Sequence, residues 1–204
     1  MDTDGVDATA DGSTKADLRT AILRSRRAVP ADRRRVEAAA LARFLRDTTT
    51  AGDVACAYVP VGSEPGSVDM LDGLLRAGTR VLLPVAREHD GVPQPLGWGE
   101  YRPGGLVEAR FGLLEPPPPT LDAGAIGSAT VIVVPALAVD RAGIRLGRGA
   151  GYYDRSLPLA DPAARLIAVV RDEELVDALP GEPHDVAMTH ALTPGHGVVR
   201  LQPA

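Results

Sequence analysis

Four glycines fall within the nine positions from Gly143 to Gly151, with Arg145 and Arg148 set among them and Tyr152-Tyr153-Asp154 directly behind. Glycine reaches backbone conformations closed to other residues, so a run of this kind lets several N–H groups approach one ligand. Such a run does not suit the interior of a strand or helix, and the chain must carry it as a loop between ordered elements. A helix near Ala150–Leu159 follows, offering unpaired N–H groups and a positive dipole end to the same ligand. Arg145 and Arg148 add fixed charge in the planar shape that suits phosphate oxygens. The segment reads as a phosphate-binding loop.

The elements around it alternate. Leu18, Ile22 and Leu23 form one helical apolar stripe, and Val36, Ala40, Leu41, Phe44 and Leu45 form a second after Pro30. A strand at Val54–Val59, a helix from about Ser67 to Ala77 that Ser67 can cap and Gly78 can end, and a strand at Arg80–Val85 make a βαβ unit. From Arg87 to Pro119 the chain is rich in Gly and Pro, which predicts irregular structure and short edge strands. The β-branched run Thr130–Val134 suits a strand covered on both faces. A long loop, the helix after the glycines, a strand at Leu166–Val170, a short helix at Glu173–Ala178 and one or two terminal strands complete the pattern. The expected fold is α/β, a three-layer α/β/α sandwich with a largely parallel, Rossmann-like sheet.

Composition narrows the function. The chain has 204 residues, 45% of them hydrophobic, enough for one core, so residues 15–204 are expected to form a single domain behind an acidic, disordered tail at 1–14. Lys and Arg number 22 against 27 acids, and four of the acids, Asp2, Asp4, Asp7 and Asp11, lie in that tail. The body is thus near neutral, which argues against nucleic acid as a partner. No stretch is apolar enough for a membrane, and the single cysteine, Cys56, sits in an apolar run where a buried thiol is expected. A cytoplasmic monomer is the expectation.

Two familiar loops do not fit. A Walker-type G-x-x-x-x-G-K-[ST] is absent. Asp172 lies about twenty residues beyond Gly151, as a ribose-binding acid would in a dinucleotide site, yet in that motif the glycines follow the first strand directly. Here a long loop separates Val134 from Gly147. No G-x-S-x-G elbow marks a hydrolase.

The run Asp140-x-x-Gly-x-Arg-Leu-Gly-x-Gly-x-Gly-Tyr-Tyr-Asp-Arg resembles the signature of the 5-formyltetrahydrofolate cyclo-ligase family. Other pieces fall in that family's order: Lys15-x-x-Leu-Arg19, Tyr58-x-Pro60 followed by Glu64, Leu83-Pro84, Phe111-Gly-x-x-Glu-Pro116 and His184-Asp185. The resemblance implies conversion of 5-formyltetrahydrofolate, with or without a polyglutamate tail, to 5,10-methenyltetrahydrofolate with ATP and Mg²⁺. It places Lys15, Arg19, Arg145, Leu146, Gly147, Arg148, Gly149, Ala150, Gly151, Tyr152 and Tyr153 on ATP. It places Val59, Glu64, Arg148, Gly149 and Tyr152 on the folate, and Asp154 and Asp185 on Mg²⁺. Arg145 and Arg148 are the expected catalytic groups, acting on charge in the transferring phosphoryl.

Tyr152 and Tyr153 suit either packing or ligand contact, and Trp98 and Tyr101 are better suited to packing a loop than to stacking on the folate. His184, His190 and His196 match no zinc spacing and read as surface or loop histidines. Ala150 and Pro65-Gly66 depart from the commonest family pattern. A non-catalytic binder of nucleotide or folate, and an enzyme acting on a sugar phosphate or acyl thioester, are the competing classes; the joint presence of Lys15, Arg19, Glu64, Arg145, Arg148, Asp154 and Asp185 favours the cyclo-ligase.

Overall fold

The computed structural model describes residues 14–182 and 185–202, so the expected tail, apart from Thr14, and His184 lie outside the described residues. Thr14 is the N-cap of α1 (Lys15–Ala28), where its hydroxyl accepts from the Asp17 N–H and the Asp17 carboxylate accepts from its own N–H. Helix α2 (Ala31–Arg46) follows Pro30 without a side-chain cap and is held by packing instead. Its Leu41 and Leu45 and the Leu71 and Leu74 of α3 (Asp69–Arg76) are fully buried, and each such side chain is worth about 1.5–3 kcal/mol. Gly78 ends α3 as expected, but the helix starts two residues after Ser67, whose hydroxyl accepts from the Asp69 N–H at 3.3 Å.

Strands β1 (Val54–Cys56), β2 (Arg80–Val85), β3 (Glu88–His89), β4 (Val92–Pro93) and β5 (Gly97–Glu100) come next. After β6 (Val107–Glu108) and β7 (Leu114–Glu115) the chain forms β8 (Val131–Pro135), β9 (Ala138–Asp140) and β10 (Arg145–Leu146). Helix α4 (Tyr152–Ser156), β11 (Arg165–Val169), β12 (Leu175–Val176), β13 (His190–Thr193) and β14 (Gly197–Arg200) complete the order.

Seven strands pair as β14-β13-β11-β8-β1-β2-β5. The inner pairings are parallel, and β14 and β5 close the two edges antiparallel. Leu82, Cys56, Ile132 and Leu166 lie in register across four strands and point to one face, where Trp98, Ile126, Leu157 and Met188 cover them. Val81, Ala55, Val131 and Val133 alternate to the other face, under α2 and α3. This is the expected three-layer arrangement, with one helical layer reduced to short turns and α4. Cys56 is buried and its thiol pKa is pushed up to about 12 by burial.

Strand β1 ends at Cys56, three residues short of the expected Val59, and three further stretches differ from expectation. The long loop before the glycines folds as a β9–β10 hairpin, which with β12 makes a separate three-stranded sheet. Helix α1 packs its Leu18, Ile22 and Leu23 on this small sheet, against Leu137, Ala138 and Leu146. The helix expected at Glu173–Ala178 is a 3₁₀ turn, Asp172–Glu174, followed by β12, because the Glu174 carboxylate turns inward to Arg26 and the Leu175–Val176 backbone pairs with β9. The helix after the glycines is shorter than expected: Gly151, at φ +76°, starts it, and Pro158 stands within the 3₁₀ turn Leu157–Leu159 that ends it.

Candidate functional site

A cavity of about 330 Å³ opens where β1, β2 and β8 end, the side of a parallel sheet on which ligands collect. The segment after β1 supplies Tyr58, Val59, Val61 and Glu64 to one wall, and the glycine loop with the start of α4 supplies another. Leu96, Leu113 and Leu114 make an apolar side. Val59, Glu64, Arg145, Gly147, Arg148, Gly149, Ala150, Gly151, Tyr152, Tyr153 and Asp154 all line this one cavity. Leu146 does not: it is buried beneath α1, where it holds the hairpin.

Glu64 joins the two walls. Its Oε2 accepts from the Val61 N–H at 2.9 Å, and its Oε1 lies 3.2 Å from Nε of Arg148. Burial pushes the Glu64 carboxyl above its ordinary value, opposed by the Val61 N–H, by Arg148 and by Arg26. Tyr58 donates to the carbonyl of Pro65 at 2.9 Å, so the Pro65-Gly66 departure forms a buried anchor for this loop. The Tyr58 and Tyr153 phenols are held protonated, first by burial and then by the Glu64 charge.

On the facing wall Gly149 and Gly151 take φ values of +96° and +76°, the left-handed region that favours glycine. Helix α4 has only five residues, so the cations and amides of the loop, more than a helix dipole, make this wall attractive to anions. Arg19 donates from Nε to the Gly147 carbonyl at 3.0 Å, tying α1 to the loop. Lys15, four residues earlier on the same helical face, lies 2.8 Å from Glu182 and 3.9 Å from Asp185. Tyr152 donates to Glu88 at 3.0 Å, and the Tyr153 ring lies 5.8 Å from the Arg145 guanidinium. Both tyrosines therefore pack and line the cavity at once. Trp98 is fully buried in the core, and Tyr101 is buried and donates to Asp72 at 2.8 Å, so both serve packing.

Asp154 pairs with Arg145, whose side chain is 8% exposed and whose Nε has no partner among the described residues. Asp185 accepts from the Glu182 N–H at 2.8 Å and lies near Lys15, away from the cavity lining. Among the described residues no group of three or more His, Cys, Asp or Glu side chains could by itself hold a metal ion. A single carboxylate, shared with Arg145 and 40% exposed at the cavity, would fit Mg²⁺ carried in on phosphate oxygens and water, which is how that ion is usually held.

Residues 11–194 match the sequence profile of the 5-formyltetrahydrofolate cyclo-ligase family. The chain is 62% identical over 190 residues to the 5-formyltetrahydrofolate cyclo-ligase of Mycolicibacterium smegmatis, spanning 93% of this chain and 98% of that one. This chain belongs to the 5-formyltetrahydrofolate cyclo-ligase family. It is 31% identical to the cyclo-ligase of Escherichia coli K12 over 139 residues, which is 67% of this chain and 75% of that one. The fold is that of the Aquifex aeolicus 5,10-methenyltetrahydrofolate synthetase, at a TM-score of 0.70 and 23% identity over 93% of this chain and 94% of the other. The Mycoplasma pneumoniae 5,10-methenyltetrahydrofolate synthetase is similar at a TM-score of 0.65 and 20% identity, covering 86% and 96% of the two chains.

In this member of the cyclo-ligase family the cavity also draws on residues that sequence reasoning missed: Tyr58, Ala136, the β7 leucine Leu114 and, above all, Arg26. Residues 15, 19, 22 and 26 recur at helical spacing, so Arg26 shares the α1 face of Lys15, Arg19 and Ile22. That spacing was the available signal. An arginine four residues past an apolar stripe member nevertheless looks solvated until Glu174, 148 positions away, is seen to bury it.

Proposed function

We propose that this protein converts 5-formyltetrahydrofolate to 5,10-methenyltetrahydrofolate with Mg-ATP, releasing ADP and phosphate. Family membership and the 62%-identical cyclo-ligase support the reaction. The observation that carries the mechanism is the 3.2 Å approach of Glu64 to Arg148, because it joins a wall suited to a pterin and a wall suited to phosphates in one cavity.

The chemistry follows from the substrate. An N-formyl oxygen is a poor leaving group, so that oxygen attacks the γ-phosphorus and ADP departs, leaving a carbon bonded to a phosphorylated oxygen. N10 then adds to that carbon, its proton is lost to solvent, the C–O bond breaks, and inorganic phosphate leaves as the five-membered ring closes. Such a reaction needs positioning and charge neutralisation more than a protein nucleophile. Glu64 accepts from the pterin N–H groups, beside Val59, Gly149 and Tyr152. Arg145 and Arg148 face the charge that develops on the phosphoryl oxygens. Lys15 and Arg19 extend the cationic surface along α1, and the backbone from Gly147 to Tyr153 borders the nucleotide. Asp154 would hold the Mg²⁺, while Asp185 would balance the charge of Lys15 outside the cavity lining. The ion would neutralise phosphate charge and help align the two reactants.

We place the reaction in the cytoplasm, which the unpaired, buried Cys56 thiol supports, and on a monomer. None of the described helices is long and apolar enough to cross a membrane. The test is direct: incubate the protein with 5-formyltetrahydrofolate and Mg-ATP and follow the near-ultraviolet absorbance of the methenyl product alongside ADP. Product should form only when both nucleotide and divalent cation are present, and product in nucleotide-free buffer would overturn the proposal.

A further inference from the structure

Arg26 is 1% exposed, yet it lines the cavity together with Glu64 and Tyr58. Nε and Nη2 grip the two oxygens of Glu174 at 2.7 Å each, and Nη2 also donates to the Ala136 carbonyl at 2.6 Å. Nη1 has no partner among the described residues. Glu174 is itself fixed, since its Oε2 accepts from the Arg171 N–H at 2.7 Å, and Arg171 in turn grips Glu37 at 2.8 Å. A pair buried this deeply is costly to desolvate, and an apolar pair of similar volume would pack α1 against the turn before β12 as well. What an apolar pair would not supply is positive charge beside Glu64.

The groups that face Glu64 are few. Arg148 approaches from the glycine loop, Arg26 from α1, the Tyr58 and Tyr153 phenols lie close enough to feel its charge, and the Val61 N–H donates to it. The two cations differ in freedom. Arg148 is 49% exposed and can turn to another anion, whereas Arg26 is clamped at three contacts. We propose that Arg26 is a positioning residue of the pterin side, a fixed cation that keeps Glu64 a carboxylate, and thus an acceptor, once Arg148 has turned to the nucleotide phosphates. The inference rests on the cyclo-ligase reading above. A seated pterin would exclude water from Glu64 while the nucleotide draws Arg148 away, and both changes favour the neutral acid unless Arg26 opposes them.

The experiment is calorimetric titration of 5-formyltetrahydrofolate in the presence of Mg²⁺ and a non-hydrolysable ATP analogue, from about pH 5.5 to about pH 8.5, on the side to which the Glu64 carboxyl is shifted. Three forms are compared with the wild type. Arg26→Lys keeps the charge, Arg26→Met with Glu174→Gln removes both charges without leaving an orphan, and Glu174→Gln leaves Arg26 charged without its counter-ion. Wild type and Arg26→Lys should keep their alkaline affinity through neutrality and begin to weaken only at the acid end of the range. The doubly neutral form should lose about tenfold or more at the acid end and recover at the alkaline end, because a protonated Glu64 no longer accepts from the pterin. Glu174→Gln should extend the flat region to lower pH, which keeps the test open should the doubly neutral form not fold. An equal loss at every pH, no loss, Arg26→Lys matching the neutral form, or a Glu174→Gln curve displaced to higher pH would each overturn the role. A wild type that binds no folate at any pH would overturn the folate reading itself, and its own flat baseline distinguishes that failure from the others.

Discussion

Arg148 stands where the two halves of the cavity meet, so truncating it should damage catalysis more than folate binding. Arg148→Ala is expected to lower turnover by about a hundredfold or more at saturating ATP, the usual size of a lost contact to developing charge. Unchanged turnover would make Arg148 a surface arginine. Glu64→Gln replaces one acceptor with a donor facing the pterin N–H groups; a charged hydrogen bond is worth about 1.5–3 kcal/mol, so KM for the folate should rise roughly ten- to hundredfold while KM for ATP stays near wild type. Equal damage to both constants would place Glu64 elsewhere. Asp154→Asn should lower activity steeply, with part of it restored as Mg²⁺ is raised; a role confined to the helix start predicts only about 0.3–1 kcal/mol of lost stability and normal kinetics. At this scale the loop was readable, since glycine and arginine carry their chemistry in their identity. Arg26 and Glu174 were not, because a charge looks solvated in sequence and only the three-dimensional pairing shows that both are buried.

The elements that could be read were those whose pattern repeats within their own length. Strand β2 spans Arg80–Val85 as its apolar run predicts, and β8 and β11 fall within a residue of theirs. The β9–β10 hairpin was hidden, because its strands are three and two residues long and it is defined by partners in α1 and β12. Its turn gives a sharp test. Gly143 has φ +89°, and a Cβ there would press on the backbone of Met188, whose N–H donates to the Gly143 carbonyl at 2.8 Å. Gly143→Ala should therefore cost about 2–4 kcal/mol, the left-handed strain and the overpacking together. Denaturant titration should show a lower midpoint with an unchanged slope. A midpoint equal to wild type would mean that the hairpin yields freely, contrary to its place in the core.

For the molecule as a whole, the cavity exists because three parts meet: the C-terminal ends of the main sheet, the small sheet that carries the glycine loop, and α1 bridging to that loop through Arg19 and to the 3₁₀ turn before β12 through Arg26. Their joint stability should depend on pH in a definite sense. Asp17 and Asp53 are held below the ordinary carboxylate value chiefly by hydrogen bonds from Thr14 and Thr50, while at Asp172 burial pushes upward but is outweighed by bonds from Thr193 and Gly195. A depressed carboxylate contributes stability that is present above its unfolded pKa and lost as pH falls through the folded one. Glu64, shifted upward, acts in the opposite direction with a smaller count. Burial also lowers the His190 pKa, so thermal melts should weaken slightly between neutrality and about pH 5 and fall steeply below roughly pH 4; a melting temperature that rises on acidification would contradict this balance. The claim that unites the three parts is that the formyl oxygen itself becomes phosphorylated between Glu64 and Arg148. It is tested most directly by following ¹⁸O from the formyl group of labelled 5-formyltetrahydrofolate during turnover with unlabelled Mg-ATP. The label should appear in the inorganic phosphate, one atom for each methenyl product formed, and label released into water with none in phosphate would contradict the account.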